Sequence, residues 1–98
     1  MRFEIVLAPQ AAVSLAKLSA YERKAVKDAI ETHLRHDPTK VSKSRIKRLR
    51  GLTRPQYRLR ANEVRVFYDV TDTQVQILAI IRKIDAQVWL GDFGEKGP

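Results

Sequence analysis

The sequence predicts an α+β domain: an antiparallel β-sheet, made of an N-terminal strand plus a three-stranded meander, packed against a helical hairpin and followed by a short C-terminal helix. Two periodicities and a gap between them carry this expectation. Apolar residues recur at helical spacing between Pro9 and His36, and they alternate with a period of two from Gln56 to Arg82. The stretch between, residues 39–55, follows neither period. With 98 residues there is one domain, spanning 1–98.

Each element has its own signal. Arg2–Leu7 alternates, with Phe3, Ile5 and Leu7 set against Arg2, Glu4 and Val6, and reads as a strand. Pro9 suits the first turn of a helix. Ala12, Leu15, Ala16 and Leu18 follow at helical spacing, giving a short helix over Pro9–Leu18. Ser19-Ala-Tyr-Glu22 has the form of a capping box and opens a longer helix to about His36. Its apolar face is Ala25, Val26, Ala29, Ile30 and Leu34, while Arg23, Lys24, Lys27, Asp28 and Glu31 look outward. Asp37-Pro38 ends it. Residues 39–55 read as a basic loop, punctuated by Gly51 and Pro55 and pinned by Ile46, Leu49 and Leu52. Three strands follow, carried by Tyr57, Leu59 and Ala61, by Val64, Val66, Tyr68 and Val70, and by Val75, Ile77, Ala79 and Ile81. Asp85–Leu90 is a short helix closed by Gly91, with Trp89, Leu90 and Phe93 packing the tail. Glu95–Pro98 is expected to fray.

Composition excludes several functions. The chain has no cysteine, which removes disulfides, thiolate metal sites and cysteine nucleophiles. Its longest apolar run, Ile77–Ile81, cannot span a bilayer, and Met-Arg-Phe-Glu is not the start of a signal peptide. The expectation is a soluble, cytoplasmic protein with no membrane partner. No Gly-rich phosphate loop, Ser/His/Asp arrangement or zinc spacing is present, so neither metal nor cofactor is expected. Charge is more informative. Nineteen bases face eleven acids, for a net charge of +8. Residues 38–62 hold nine of the bases (Lys40, Lys43, Arg45, Lys47, Arg48, Arg50, Arg54, Arg58 and Arg60) and no acid. A basic block on a near-neutral scaffold points to a polyanion or an acidic partner.

Register then decides where the arginines point. With Asp72-Thr73 as the turn between the last two strands, Val70 faces Val75, Tyr68 faces Ile77, Val66 faces Ala79 and Val64 faces Ile81, all apolar. A one-residue slip would set Val70 and Tyr68 against Gln74 and Gln76, turning the buried face outward. With Asn62-Glu63 as the first turn, Ala61 faces Val64, Leu59 faces Val66 and Tyr57 faces Tyr68. The opposite face then gathers Arg58, Arg60 across from Arg65, and Arg82 near Glu63 and Arg65. Like charges directly opposite cost roughly 0.2–1 kcal/mol. Four arginines converging on one face suit oxyanion binding, because the guanidinium is planar, always charged and bidentate.

These residues resemble a family. Arg48-Leu-Arg-Gly51, then Tyr57-Arg-Leu-Arg60, then Val64-Arg-Val-Phe-Tyr68, then an apolar strand and a short helix, are together similar to the RelE/ParE toxin superfamily, over nearly the whole chain. The resemblance implies a RelE-like fold and the toxin of a type II toxin–antitoxin system. For the RelE branch, which the arginine-rich face favours, it implies a ribosome-dependent mRNA endoribonuclease that inhibits translation. There the ribose 2′-OH attacks the next phosphate. The ParE branch implies a DNA gyrase inhibitor without nuclease activity. By motif, Arg58, Arg60 and Arg65 fall where the family holds its catalytic strand bases, with Arg82 or Lys83 near the base after the last strand; spacing does not separate these two. Lys43, Arg45, Lys47, Arg48, Arg50 and Arg54 would dock on RNA backbone. Trp89 stands at the family's late tyrosine, able to stack on a base but not to act as an acid. The implied partners are an acidic, partly disordered antitoxin in a hetero-oligomer, and the ribosome with its mRNA.

Other polar residues read structurally. His33 and His36 lie toward the end of the second helix, where a partly charged imidazole is favoured. Glu63 is a turn residue expected to pair with Arg82. Tyr57 and Tyr68 fall on the core face as packing residues, and Trp89 is also read as packing.

Overall fold

A computed structural model describes residues 1–97. The N-terminal half folds as its periodicity implies. Strand β1 (Glu4–Leu7) leads into helix α1 (Pro9–Lys17), whose first-turn proline lacks only an N–H that has no helical partner anyway. Helix α2 (Ala20–Leu34) opens on Ser19, whose hydroxyl accepts the Glu22 N–H at 3.2 Å, and it buries Val26, Ile30 and Leu34. Arg35 closes it. Its guanidinium pairs with Glu31 and donates to the Phe3 carbonyl at 3.0 Å, so the end of α2 is laced to the start of β1.

The meander is strands β4 (Tyr57–Ala61), β5 (Val64–Val70) and β6 (Gln74–Arg82), after strands β2 (Ile46–Arg48) and β3 (Leu52–Arg54). The main sheet runs β1-β6-β5-β4-β2. Its β4–β5 register is the one parity requires: Tyr57↔Tyr68, Leu59↔Val66, Arg60↔Arg65 and Ala61↔Val64. Asn62 turns the chain with φ of 55°, a left-handed conformation that asparagine tolerates.

Four expectations are corrected. The sheet is mixed, because β1 joins β6 in parallel, with Ile5↔Val75 and Leu7↔Ile77. Two helices and four strands separate β1 from β6, so no tight turn dictates its direction. Second, the basic loop contains strands: β2 pairs with β4 (Ile46↔Leu59, Lys47↔Arg58), which extends the sheet by one strand. Third, the last helix, α3, spans Lys83–Phe93 and runs through Gly91; the glycine that ends it is Gly94, where a Cβ would stand 2.6 Å from the Leu90 carbonyl oxygen. The tail that was expected to fray continues as β7 (Glu95–Lys96), paired with β3; Pro98 lies outside the described residues.

The fourth correction matters most. Val70↔Val75 and Tyr68↔Ile77 hold, but Phe67 pairs with Ala79, leaving Leu78 as an unpaired extra residue, a β-bulge. Beyond it every partner is displaced by one: Val66 meets Ile80, not Ala79, and Val64 meets Arg82, not Ile81. Ile80 therefore joins the main core, while Ala79 joins Phe67 on the opposite face.

The main core lies between the sheet and the helical pair, around Val26, Leu34, Leu59, Val66, Tyr68 and Ile77. Tyr68 stacks on Tyr57 with ring centroids 5.5 Å apart and donates its hydroxyl to the Pro38 carbonyl at 2.6 Å. A smaller cluster sits beneath α3: Phe67, Ala79 and Ala86, flanked by Leu49, Ile81, Trp89 and Leu90. Among the described residues, no helix is long and apolar enough to cross a membrane.

Candidate functional site

Strand alternation places Arg58 of β4 and Arg65 of β5 on the sheet face away from α1 and α2. Lys47 of β2 stands directly across from Arg58, and Lys83 opens α3 at the end of β6. These four cations line one cavity of about 280 Å³, whose other walls are Leu49, Phe67, Ala86, Gln87 and Leu90. No carboxylate or imidazole lines it among the described residues. Arg60 is exposed and pairs opposite Arg65, but it is not among the residues that line this cavity.

Electrostatically the cluster is under stress. Arg65 is only 6% exposed. One of its guanidinium nitrogens donates to the carbonyls of Asn62 (2.7 Å) and Val64 (3.1 Å), which caps the β4–β5 turn. Burial, then the charges of Arg58 and Arg60, push its guanidinium below the ordinary arginine value; Glu63 opposes them weakly. Burial, then Arg60, does the same to Arg58. The Nε of Arg58 is buried and finds no hydrogen-bond acceptor among the described residues. Leaving such a donor unpaired costs about 1–3 kcal/mol, more for a charged group. An oxyanion entering the cavity would relieve the repulsion between these guanidinium groups.

The remaining candidates go elsewhere. Arg82 is carried by the bulge to the helix side of the sheet, where it pairs with Glu22 through two contacts of 2.9 and 3.0 Å, not with Glu63. That pairing holds the Glu22 carboxyl below its usual range, with the Arg82 hydrogen bond as the largest cause. Of the two adjacent bases, Lys83 is the one the cavity receives. Arg54 meets Asp69 at 2.7 Å, and the second oxygen of Asp69 accepts the Gln56 N–H at 2.8 Å. Arg48 donates to the Gln56 carbonyl at 2.7 Å and lies over the Tyr57 ring. Arg45 reaches toward the Arg60 carbonyl, and Lys43 and Arg50 are exposed. Trp89 stacks on Phe67 (5.0 Å) and Phe93 (5.7 Å). It lines a neighbouring groove, with Leu18, Ile81 and Val88. His33 lines a third, polar cavity with Thr32, Lys40, Ser42 and Arg45.

Sequence reasoning put Lys47 among docking residues and did not single out Gln87. Only the pairing of Ile46–Arg48 with β4 reveals the place of Lys47, and three residues with a single buried position carry too little periodicity to announce a strand.

Residues 5–85 match the family described as the ParE toxin of the type II toxin–antitoxin system parDE. No curated protein matches the chain. Among solved structures, the fold is similar to the archaeal RelE–RelB complex from Pyrococcus horikoshii (TM-score 0.69, 22% identity, covering 85% of this chain and 97% of that one). It is also similar to the toxin–antitoxin complex RelBE2 from Mycobacterium tuberculosis (TM-score 0.68, 24% identity, 84% and 99%). Toxin RelE of E. coli in the free state is a further neighbour (TM-score 0.68, 20% identity, 91% and 92%).

Proposed function

The chain belongs to the ParE toxin family, within the RelE/ParE superfamily of type II toxin–antitoxin toxins; within that superfamily we propose that it is a ribosome-dependent mRNA endoribonuclease. One observation carries the reading: Lys47, Arg58, Arg65 and Lys83 converge on a cavity without a carboxylate, and a buried guanidinium nitrogen there lacks an acceptor. A scissile phosphate supplies the negative charge that the cavity lacks. Arg58 and Arg65 hold its non-bridging oxygens and stabilise the charge that develops as the ribose 2′-OH attacks. The exposed bases Lys43, Arg45, Arg50 and Arg60 add sequence-independent attraction to RNA backbone. The partner that silences the toxin is an antitoxin, acidic where it covers this face. Arg82, Arg48 and Arg54, each engaged within the protein, take no part in the chemistry.

A gyrase-directed reading has its own support. Trp89 occupies the place of the family's late tyrosine and is packed against Phe67 and Phe93, and the matched family carries the ParE name.

Inducing the protein in cells and mapping mRNA 5′ ends, beside an Arg58→Met variant, separates the two. New ends within translated codons, absent in the variant and absent when initiation is blocked, are the expected result. Growth arrest with a DNA-damage response and no new ends would overturn the nuclease reading in favour of gyrase.

A further inference from the structure

The nuclease reading leaves the proton transfers unassigned, and the cavity narrows the choice. Cleavage by a 2′-OH needs a group to take its proton and another to protonate the leaving 5′-oxygen. Guanidinium groups do not give up a proton in proteins, so Arg58 and Arg65 serve neither task. Leu49, Phe67, Ala86, Gln87 and Leu90 offer no exchangeable acid or base. Tyr68 is buried on the other face of the sheet, and among the described residues no hydroxyl-bearing or imidazole side chain lines this cavity. Glu63, the acid of the β4–β5 turn, lines a separate cavity beside Tyr21 and Ala25.

Two titratable groups are left, Lys47 and Lys83, and the strand order sets them apart in a useful way. Across the sheet the sequence is β2, β4, β5, β6: Lys47 on β2, Arg58 on β4, Arg65 on β5, Lys83 just past β6. The arginines occupy the middle and the lysines the flanks. Across the sheet the flanking positions are three strand spacings apart, about 14 Å, and Lys83 lies further along, level with the β4–β5 turn, where its N–H donates to the Glu63 carbonyl at 2.8 Å. In-line displacement puts attacking and leaving oxygens on opposite sides of phosphorus, with the non-bridging oxygens between them. The cavity has that layout, and each ammonium rides on a flexible four-carbon stem.

We propose that Lys47 and Lys83 are the proton-transfer pair of this toxin, one the general base and the other the general acid, acting on a phosphate held by Arg58 and Arg65. The assignment rests on the nuclease reading. The 2′-O–H bond breaks and its proton goes to the neutral amine of one lysine. The O2′–P bond forms and the P–O5′ bond breaks. O5′ takes a proton from the ammonium of the other lysine, leaving a 2′,3′-cyclic phosphate and a 5′-hydroxyl. Exchange with solvent resets both amines, and no co-reactant is consumed.

The test uses the full chain on ribosomes programmed with a defined mRNA, in single turnover. Both lysines are exposed, so Lys47→Gln and Lys83→Gln are expected to fold, which circular dichroism checks. Each should slow cleavage about 10²-fold or more. Lys47→Arg and Lys83→Arg keep the charge but should stay slow. Glu63→Gln should cut like the wild type. A substrate with sulfur in place of the bridging 5′-oxygen needs no proton on its leaving group, so it should restore only the variant that has lost the acid. Rescue by arginine, rescue of both glutamine variants by sulfur or of neither, loss of cutting in Glu63→Gln, or a glutamine variant within tenfold of wild type would overturn the pair while the nuclease reading stands. A wild-type protein that does not cut overturns that reading and the pair with it.

Discussion

On one face of the sheet, Tyr68 stacks on Tyr57 and gives its hydroxyl to Pro38; on the other, Arg58, which follows Tyr57 in β4, buries a guanidinium nitrogen with nothing to accept from it. The first face is covered by α1 and α2 and satisfies the polar groups it buries. The second is only partly covered, by α3, and sets cations side by side. Even there the contrast is local. Asp69 neutralises Arg54 and holds the Gln56 N–H, whereas Arg58 and Arg65 get no carboxylate. The difference teaches that carboxylates are placed unevenly in this molecule: Arg35, Arg54 and Arg82 each meet one, while the cavity between Arg58 and Arg65 is lined by none among the described residues.

Four substitutions or titrations would break or sharpen that contrast. The largest effect is expected on the covered face, where Leu59 is fully buried: Leu59→Ala should cost about 2–5 kcal/mol in urea unfolding. A loss under 1 kcal/mol would show that the helices can collapse onto the gap and that this face is not tightly packed. Next, Asp69→Asn, which turns one of two acceptors into a donor facing Arg54 or Gln56, should cost about 1–3 kcal/mol. If it is neutral, the distinction between the two groups of arginines fails.

The third concerns pH. Burial, and then Tyr57, raise the Tyr68 hydroxyl above its ordinary value of 10.0. The unfolded chain therefore ionises at that residue before the folded one does, and binds fewer protons. Stability should fall as pH rises above about 10, by up to about 1.4 kcal/mol per unit from this residue. Tyr68→Phe, though less stable at neutral pH, should lose that part of the slope in alkaline unfolding curves. The smallest effect has the opposite sign. Arg58→Met keeps the apolar stem and removes a crowded charge, so it should leave stability unchanged or raise it by up to about 1 kcal/mol. Phosphate should raise the Tm of the wild type more than that of the variant. A destabilised Arg58→Met would mean that this arginine holds the sheet together.

Much of this architecture was legible in residue order. Alternation through Tyr57–Ala61 and Val64–Val70, with Asn62-Glu63 as the turn, put Arg58, Arg60 and Arg65 on one face because the period of a strand is two. The capping residues Ser19 and Glu22 announced α2. What stayed hidden depends on pairing between distant segments. Ile46–Arg48 has one buried residue, so nothing local distinguishes it from a pinned loop, and the place of Lys47 was lost with it. Arg54 and Asp69 are fifteen residues apart and meet only once β3 folds back. The choice between Arg82 and Lys83 turned on Leu78, an ordinary apolar residue in an apolar run, which no alternation rule marks as unpaired.

That bulge also bears on how the chain can vary in length. Residues on either side of Leu78, Ile77 and Ala79, already face consecutive partners, Tyr68 and Phe67. A chain lacking Leu78 would close into an uninterrupted ladder with every later residue still opposite its present partner, Arg82 still toward Glu22 and Lys83 still toward the cavity. Removal of any residue between Ala79 and Arg82 would instead rotate the end of β6 and hand the cavity a different side chain. Within a single central strand, tolerance to deletion thus changes from one position to the next, and the boundary is set by where the ladder already skips.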